Sequence, residues 1–278
     1  MNKKDVEQLL QINNISVKKK FGQNFLLDKN ILNKIVTTLK EEDMKNVIEI
    51  GPGLGFLTNE IVKKSSNLVL YEIDDEMVGY LSTLNLKNTK IRNIDVLKVD
   101  LEKELKENFN EEHISLVANL PYYITTAILT KFLTETSKVD KMVVMMQKEV
   151  AQRICGKPKT KDYNALSVFI QYYSNAKIAF NVPPQSFYPA PDVESSVVFI
   201  ERKEITNKAL CEEEFNKFVK DIFSQRRKTL LNNISKTNIN KDIVKEVLEE
   251  KGYSLSLRSE ELSVDEIVNL FNNIYKRK

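Results

Sequence analysis

Residues 46–55, NVIEIGPGLG, decide the fold of this 278-residue chain. The first half, Asn46–Ile50, is rich in β-branched residues, which favour strands. Three glycines in five positions follow, at 51, 53 and 55, although the chain contains only 7 glycines. Apolar residues then recur at helical spacing from Phe56 onward. A strand, a glycine-rich turn and a helix in this order open a nucleotide-binding unit of an α/β fold.

The residues around the loop indicate its ligand. A dinucleotide-binding loop would have its third glycine at position 56, where this chain has Phe56. Glu49 precedes the loop, and Glu72 follows the next predicted strand, where a carboxylate accepts hydrogen bonds from ribose hydroxyls. Carboxylates suit a ligand with an ammonium and a sulfonium better than one with phosphates. We therefore predict that Glu49, Gly51 and Gly53 bind S-adenosylmethionine; NAD or FAD is the alternative on the loop alone.

A second motif, residues 119–122 (NLPY), follows a predicted buried strand. The amino group of a nucleobase is a poor nucleophile because its lone pair is delocalised into the ring. The Asn119 amide oxygen and the Leu120 carbonyl oxygen can accept its N–H bonds and localise the lone pair. Pro121 fixes the backbone, and Tyr122 offers an aromatic face to a flipped-out base. In isolation, the motif could also be an ordinary turn whose tyrosine covers the core.

Strands alternate with helical segments from Asn46 to Gln147, which is typical of a parallel doubly wound sheet. Asp95 follows the third predicted strand, 90–94, where it can accept from the adenine amino group of the cofactor, cap a helix, or do both. Beyond about residue 205, apolar residues recur at helical spacing and glycine nearly vanishes. We predict an α/β domain over 1–205, with a mobile start to about residue 15, and a small all-helical domain over 206–278.

Six segments together resemble the ribosomal RNA adenine dimethylase family. They are 21–26 (FGQNFL), 49–55 (EIGPGLG), 72–74 (EID), 119–123 (NLPYY), 187–191 (FYPAP) and 223–230 (FSQRRKTL). The resemblance implies a class I methyltransferase, with a Rossmann-like doubly wound sheet and a small C-terminal helical domain that binds rRNA. It also implies N6,N6-dimethylation of two adjacent adenosines near the 3′ end of small-subunit (16S) rRNA, with a role in maturation of the assembling 30S subunit.

The resemblance also assigns residues to the site. It places two aromatic residues, Tyr122 and Phe187, beside the target base. Prolines on both sides of Phe187 would hold its loop, although a packed phenylalanine in a proline-rich connector is the alternative. We assign Tyr123 no role. The implied cofactor contacts are Asn24, Leu26, Gly51, Glu72, Asp95 and Asn119.

Basic residues form three clusters, although the net charge is only +3. Lys18, Lys19 and Lys20 precede the FGQNFL segment. Lysines also alternate in the loop 157–161, and each cluster alone is compatible with a solvated face. Three clusters beside a base-modifying site favour a phosphate-contacting surface instead. The third cluster comprises Arg226, Arg227 and Lys228.

Composition limits the remaining possibilities. No apolar run approaches 18 residues, so we expect no membrane association, and residues 1–5 lack the apolar core of a secretory signal, so we expect cytoplasmic residence. Two cysteines and one histidine give no disulfide framework and no metal-ligand spacing, so no metal is expected. We also expect a monomer.

Three other functions remain open from the residues alone. A DNA adenine methyltransferase would share the base pocket, because base contacts do not report the 2′-hydroxyl. A large-subunit rRNA dimethylase would confer macrolide resistance. A non-catalytic RNA-binding assembly factor could keep the same fold.

Overall fold

The structure, a computed structural model, describes residues 3–18, 22–109, 113–234 and 239–277. Strands and α-helices alternate through most of the first two hundred of these residues. The strands are β1 (Phe25–Leu26), β2 (Asn46–Ile50), β3 (Asn67–Tyr71), β4 (Thr89–Arg92), β5 (Ile114–Asn119), β6 (Val139–Gln147), β7 (Ser174–Val182), β8 (Phe187–Tyr188) and β9 (Ser195–Arg202). The helices up to β7 are α1 (Lys3–Ile12), α2 (Lys29–Val36), α3 (Phe56–Ile61), α4 (Asp75–Thr83), α5 (Leu101–Asn108), α6 (Thr125–Thr134), α7 (Lys148–Ile154) and α8 (Ala165–Tyr173). The later ones are α9 (Glu212–Ile222), α10 (Leu230–Ile234), α11 (Lys241–Glu250) and α12 (Val264–Tyr275).

Seven strands form one sheet in the order β4-β3-β2-β5-β6-β9-β7. The first five strands in this order, β4, β3, β2, β5 and β6, pair in parallel with their neighbours. Strand β9 runs antiparallel to β6. The predicted doubly wound α/β sheet is therefore confirmed. The strand order reverses between the neighbours β2 and β5, so their carboxyl ends border the crevice where ligands of such sheets bind.

The local signals place most elements within a few residues of the prediction. Strand β2 is buried along its whole length, as expected for a central parallel strand covered on both faces. Asp28 caps α2 by accepting from the backbone of Asn30 and Ile31. The strand predicted over 90–94 is found as β4, which begins one residue earlier and ends two residues earlier, and Asp95 caps the 3₁₀ turn Val96–Lys98 that follows.

The N-terminal segment is ordered, so the expectation of a mobile start to about residue 15 is wrong for the described residues from 3 onward. Val6, Leu9 and Leu10 recur at helical spacing, and Val6 and Leu10 are buried in a cluster with Phe25. The same helix, α1, also carries Glu7, whose Oε1 accepts a hydrogen bond of 2.8 Å from the Tyr188 hydroxyl. Burial of this apolar stripe explains why a mostly polar segment folds.

The chain divides into two compact units. The sheet unit comprises Met1–Ala151 and Ala176–Arg202, and the helical unit comprises Gln152–Asn175 and Lys203–Lys278. The later border lies near the predicted 205/206, but 152–175 groups with the C-terminal helices, which the prediction did not include. Tyr172 explains this grouping, because its ring packs on Phe215 with centroids 4.9 Å apart. None of the described helices is long and apolar enough to cross a membrane.

Candidate active site

A cleft opens at the carboxyl ends of β2 and β5 in the sheet unit. Its space, including the open mouth, is about 1040 Å³, which is room for a nucleoside-sized ligand. It brings together every residue predicted to bind the cofactor and the whole 119–122 motif. The predicted residues that line it are Asn24, Leu26, Glu49, Gly51, Gly53, Glu72, Asp95, Asn119, Leu120, Pro121 and Tyr122.

The backbone conformation of the loop requires glycine at two positions. Gly51 and Gly53 have φ angles of +65° and +54°, a region that favours glycine. A Cβ at Gly53 would also lie 3.1 Å from the Phe25 ring. The backbone N–H of Gly53 points to Glu72 and donates to its Oε2 at 3.1 Å. The loop is therefore fixed to the carboxylate expected to bind ribose.

Glu72 keeps capacity for one more donor. Its Oε1 accepts from the backbone N–H groups of Ile73 at 2.8 Å and Asp74 at 3.0 Å. With the Gly53 bond, three donors occupy a carboxylate that has about four acceptor positions. Burial raises the pKa of Glu72 above its usual value, while these N–H groups oppose the shift. A ribose hydroxyl can supply the fourth bond.

Glu49 is the most buried carboxyl group in the cleft lining, with 1% of its surface exposed. The Thr58 hydroxyl donates to its Oε2 at 2.7 Å. Burial raises the pKa of Glu49 to about 8, and the nearby charge of Glu72 adds to the effect. The side chain is therefore mainly protonated at neutral pH, whereas an ionised carboxylate was predicted from the sequence. A cationic ligand would favour its ionised form.

Asn119 stands at the tip of β5 with its side chain oriented by the N-terminal segment. Its Nδ2 donates to the backbone carbonyl oxygen of Asn24 at 3.1 Å, which leaves Oδ1 as the available acceptor. The turn that follows is fixed by Thr125, whose hydroxyl donates to the Pro121 carbonyl oxygen at 3.1 Å. The backbone N–H of Leu120 donates to the Met145 carbonyl oxygen at 3.2 Å. The motif is thus a rigid turn.

Of the two aromatic residues expected beside the target base, Tyr122 lies in the cleft lining and Phe187 lies outside it. Tyr122 lines the cleft, with its hydroxyl 2.7 Å from Ser195 Oγ. Phe187 is fully buried, lies opposite Leu26 in the β1–β8 pair, and is absent from the described cleft lining. The alternative of a packed phenylalanine fits this position, and the placement of Phe187 beside the target base stays a prediction. Tyr123, which received no role, lines the cleft and is 59% exposed.

Asp95 shows that its two predicted roles are compatible. Its Oδ1 accepts from the Leu97 backbone at 3.1 Å, and its Oδ2 lies 3.4 Å from the Lys98 ammonium. The predicted cap is confirmed, and the residue also lines the cleft. Contact with the cofactor stays a prediction.

The predicted RNA-contacting residues are partly used in internal contacts. The Lys18 ammonium lies 2.5 Å from Asp74 and 3.0 Å from Glu76, so its charge is balanced within the sheet unit. Lys19 and Lys20 lie outside the described residues. In the helical unit, Arg226 donates to the carbonyl oxygens of Thr160 and Lys161.

Those contacts join two of the basic clusters into one. Arg226 connects the segment 226–228 to the loop 157–161. The sequence had indicated these as two separate basic clusters. Arg227 and Lys228 are exposed. The guanidinium of Arg226 bonds to two peptide carbonyls and to Glu260, although its side chain remains 53% exposed.

Several residues of the site were missed by sequence reasoning. Thr58 supports Glu49, and Ser195 supports Tyr122. Gln23 and Asp74 bond to each other at 2.9 Å beside the cleft. Both belong to segments that carry the family resemblance, which was the signal that could have identified them.

The sheet order and the cleft define the class of protein: an α/β methyltransferase of the Rossmann-like type. The lining fits S-adenosylmethionine, because Glu72 can accept from ribose hydroxyls and Asp95 from the adenine amino group, while the ionised form of Glu49 suits a ligand with an ammonium and a sulfonium. Among the described residues, no group of three or more His, Cys, Asp or Glu side chains could hold a metal ion.

The sequence profile of the family described as ribosomal RNA adenine dimethylase matches residues 14–276, so the chain belongs to that family. The resemblance found in the sequence is confirmed. The predicted enzyme class, an RNA adenine methyltransferase, and the predicted methyl donor, S-adenosylmethionine, are those of this family.

Known relatives match over nearly the whole chain. Ribosomal RNA small subunit methyltransferase A of Alkaliphilus oremlandii is 41% identical over 280 residues, which cover 99% of this chain and 97% of that protein. The protein of the same name from Streptococcus pneumoniae (strain P1031) is 44% identical over 270 residues, with 94% and 93% covered.

Two solved structures share the fold. A dimethyladenosine transferase from Plasmodium falciparum superposes with a TM-score of 0.76 at 22% identity, covering 91% of this chain and 98% of that one. The 23S rRNA methyltransferase ErmE gives a TM-score of 0.68 at 21% identity, with 90% and 99% covered. At these identities both structures support the fold alone.

Proposed function

We propose that the protein transfers methyl groups from S-adenosylmethionine to N6 of two adjacent adenosines near the 3′ end of small-subunit rRNA. The product is N6,N6-dimethyladenosine. The observation that carries the proposal is the orientation of Asn119, whose Oδ1 is left as an acceptor in the same cleft as the glycine loop. The small-subunit substrate is supported by the names of the relatives.

The chemistry rests on positioning by the chain's own groups. The bound donor would supply an electrophilic methyl group on a sulfonium, whose C–S bond breaks as the N–C bond forms, so that the sulfur leaves as a neutral thioether. Asn119 Oδ1 and the Leu120 carbonyl oxygen accept the two N–H bonds of the adenine amino group and direct its lone pair toward that methyl. The nitrogen becomes strongly acidic once alkylated, so its proton passes to water without a dedicated base. Tyr122 stacks on the extruded base, which offsets part of the cost of unstacking.

The helical unit supplies part of the RNA-binding surface in this proposal. Arg227 and Lys228 are exposed beside the loop 157–161, and phosphates are the chemistry that such a basic surface recognises. The sheet unit is then the catalytic domain. We further propose that the protein acts as a metal-free monomer in the cytoplasm, on an assembling 30S subunit.

The test compares three candidate substrates: small ribosomal subunits, large ribosomal subunits and DNA duplexes that contain adenine. Small subunits from a strain lacking this methylation are incubated with labelled cofactor and protein, and labelled nucleotides are mapped. Label on two adjacent adenosines near the 3′ end is expected. Large subunits and DNA adenine duplexes serve as matched competitors, and label on either instead would overturn the substrate assignment.

Two controls separate catalysis from binding. Asn119→Ala should bind the particle but leave it unlabelled. Expression of the wild-type gene in a macrolide-sensitive host should leave it sensitive. Particle binding by wild-type protein with no labelled adenine would favour the non-catalytic assembly factor.

A further inference from the structure

Asp74 is a buried carboxylate that the proposed mechanism does not use. It lies two residues beyond Glu72, with 1% of its surface exposed. Its Oδ1 accepts from the Lys18 ammonium at 2.5 Å and from the Glu76 backbone at 3.2 Å. Its Oδ2 accepts from the Gln23 side-chain nitrogen at 2.9 Å. Both oxygens are therefore directed at defined donors.

Gln23 completes a closed set of contacts. Its Oε1 accepts the backbone N–H of Lys18 at 2.7 Å, while its Nε2 reaches Asp74. The two ends of the amide thus face one donor and one acceptor, which fixes its orientation. Ser16 adds to the attachment, because its backbone N–H donates to Glu76 at 3.0 Å. Ser16, Lys18 and Gln23 are thus held at the start of α4.

Asn24, the residue after Gln23, links these contacts to Asn119. Asn24 follows Gln23 directly, and its carbonyl oxygen is the one that accepts from Asn119 Nδ2 at 3.1 Å. The position of that carbonyl determines where Asn119 Oδ1 points. A shift of about 1 Å in such a contact can cost about a hundredfold in rate.

We propose that Asp74 and Gln23 are positioning residues for methyl transfer, which hold the Asn24 carbonyl in the place that orients Asn119. This inference rests on the proposed function, since it assigns a role in that reaction. It predicts effects on turnover, because Asp74 and Gln23 act on the acceptor of the adenine amino group. Cofactor affinity should change less than turnover, because these contacts hold only one predicted cofactor residue, Asn24, and the backbone N–H groups that hold Glu72 are unaffected by the Asp74 side chain.

The hydrogen bond between Gln23 and Asp74 allows a test in which substitutions exchange its donor and its acceptor. In Asp74→Asn, the new amide nitrogen faces Gln23 Nε2, so two donors meet. Rotating the Gln23 amide by half a turn only moves the mismatch to the Lys18 backbone N–H. In Gln23→Glu, two carboxylates face each other instead. Each single variant is therefore mismatched in this site, although an asparagine at position 74 remains a good cap for α4.

The double variant, Asp74→Asn with Gln23→Glu, restores the pattern. The carboxylate introduced at position 23 would accept from both the amide nitrogen introduced at position 74 and the Lys18 backbone N–H. Both hydrogen bonds are thus rebuilt with the polarity of one reversed, and the summed charge of positions 18, 23, 74 and 76 is unchanged. A matched control is Glu60→Gln, which removes a carboxylate from a surface pair with Lys63 at 2.7 Å.

The experiment measures kcat, cofactor KM and thermal midpoint for the two single variants, the double variant and the control, using unmethylated small subunits. Each single variant should lose about ten- to a hundredfold in kcat, with cofactor KM within about threefold, and the double variant should recover most of the loss. Glu60→Gln should match the wild type.

Two results would overturn the inference. One is a lower thermal midpoint with unchanged kcat at a temperature where every variant is folded, which would make the contacts purely structural. The other is a double variant that remains as slow as the single ones. Absence of methyl transfer by the wild-type protein would instead refute the proposed function, so the two failures are distinguishable.

Discussion

The hydroxyl of Thr58 donates to Glu49 across 2.7 Å, at a place where both side chains are closed off from solvent. Glu49 nevertheless lines the cleft. Burial raises the pKa of Glu49 to about 8, so this carboxyl group is mainly neutral at pH 7 in the cleft where a positively charged ligand is expected. Its protonation is therefore coupled to the charge of whatever enters the cleft.

Cofactor binding should release a proton at neutral pH. The ammonium and sulfonium of S-adenosylmethionine favour the ionised form of Glu49, so its pKa falls on binding. Affinity should therefore rise with pH up to about 8 and then level off. Calorimetry at pH 7 in buffers of different ionisation enthalpy measures the released proton. Glu49→Gln should remove it, and a binding enthalpy independent of buffer in the wild type would contradict the coupling.

The free protein should lose stability as pH rises. The folded-state pKa of Glu49 lies above its ordinary value of 4.5, so its contribution is fully present below 4.5 and is lost as pH approaches about 8. Glu72, whose pKa is also raised, acts in the same direction. Urea unfolding across this range should show a shallower decline for Glu49→Gln than for the wild type. Parallel curves would show that Glu49 ionises freely in the folded protein.

Asn119→Ala should lower kcat by about a hundredfold or more, because it removes an acceptor that acts on the reacting amino group. RNA affinity should stay within about twofold, since the residue contacts no phosphate in the proposed mechanism. Single-turnover rates and RNA titrations measure the two effects. Equal losses in both would identify Asn119 as a structural residue.

Phe187→Ala should destabilise the protein by about 3–5 kcal/mol, as expected for a large side chain removed from a core. The structure shows Phe187 fully buried. Tyr123→Ala, which truncates an exposed aromatic side chain of the cleft, should cost less than about 1 kcal/mol. Denaturant unfolding compares the two. A nearly neutral Phe187→Ala would favour a side chain that leaves the core to stack on a base.

Arg227→Ala should mainly weaken RNA binding, whereas Arg226→Ala should mainly lower the stability of the protein. Arg227 is exposed, and its loss should weaken RNA binding and reduce the slope of log affinity against log salt by about 0.7–0.9. Arg226 bonds to the loop at Thr160 and Lys161, so its loss should cost about 1–2 kcal/mol of stability. Salt titrations and urea unfolding separate the effects. An unchanged slope for Arg227→Ala would remove it from the phosphate-contacting set.

The sequence predicted the parts of the site that depend on local pattern. Strand β2, its glycine turn and the motif after β5 each carry a short-range signal, and parallel strands bring their tips to one edge. Asn119 and Gly51 could therefore be placed in one cleft before any coordinates were known. The cap formed by Ser263 and Glu266 on α12 follows from equally local chemistry.

Contacts between distant segments could not be predicted in the same way. Strands β1 and β8 have two residues each, too few for a periodic pattern, so nothing in the sequence places Phe187 against Leu26. A phenylalanine in a proline-rich connector has the same pattern whether it is buried or exposed. Lys18 and Arg226 were judged by neighbouring charges, whereas their partners Asp74 and Thr160 lie far along the chain.

The β1–β8 pair also sets an order of events during synthesis. The described residues that line the cleft fall between 22 and 124, but the strand that backs Leu26 arrives only with Phe187–Tyr188. Because a chain leaves the ribosome from its N-terminus, the residues that line the cleft emerge well before β8, the strand that pairs with β1. Translation must therefore pass residue 188 before Leu26, a residue of the cleft lining, has its partner strand.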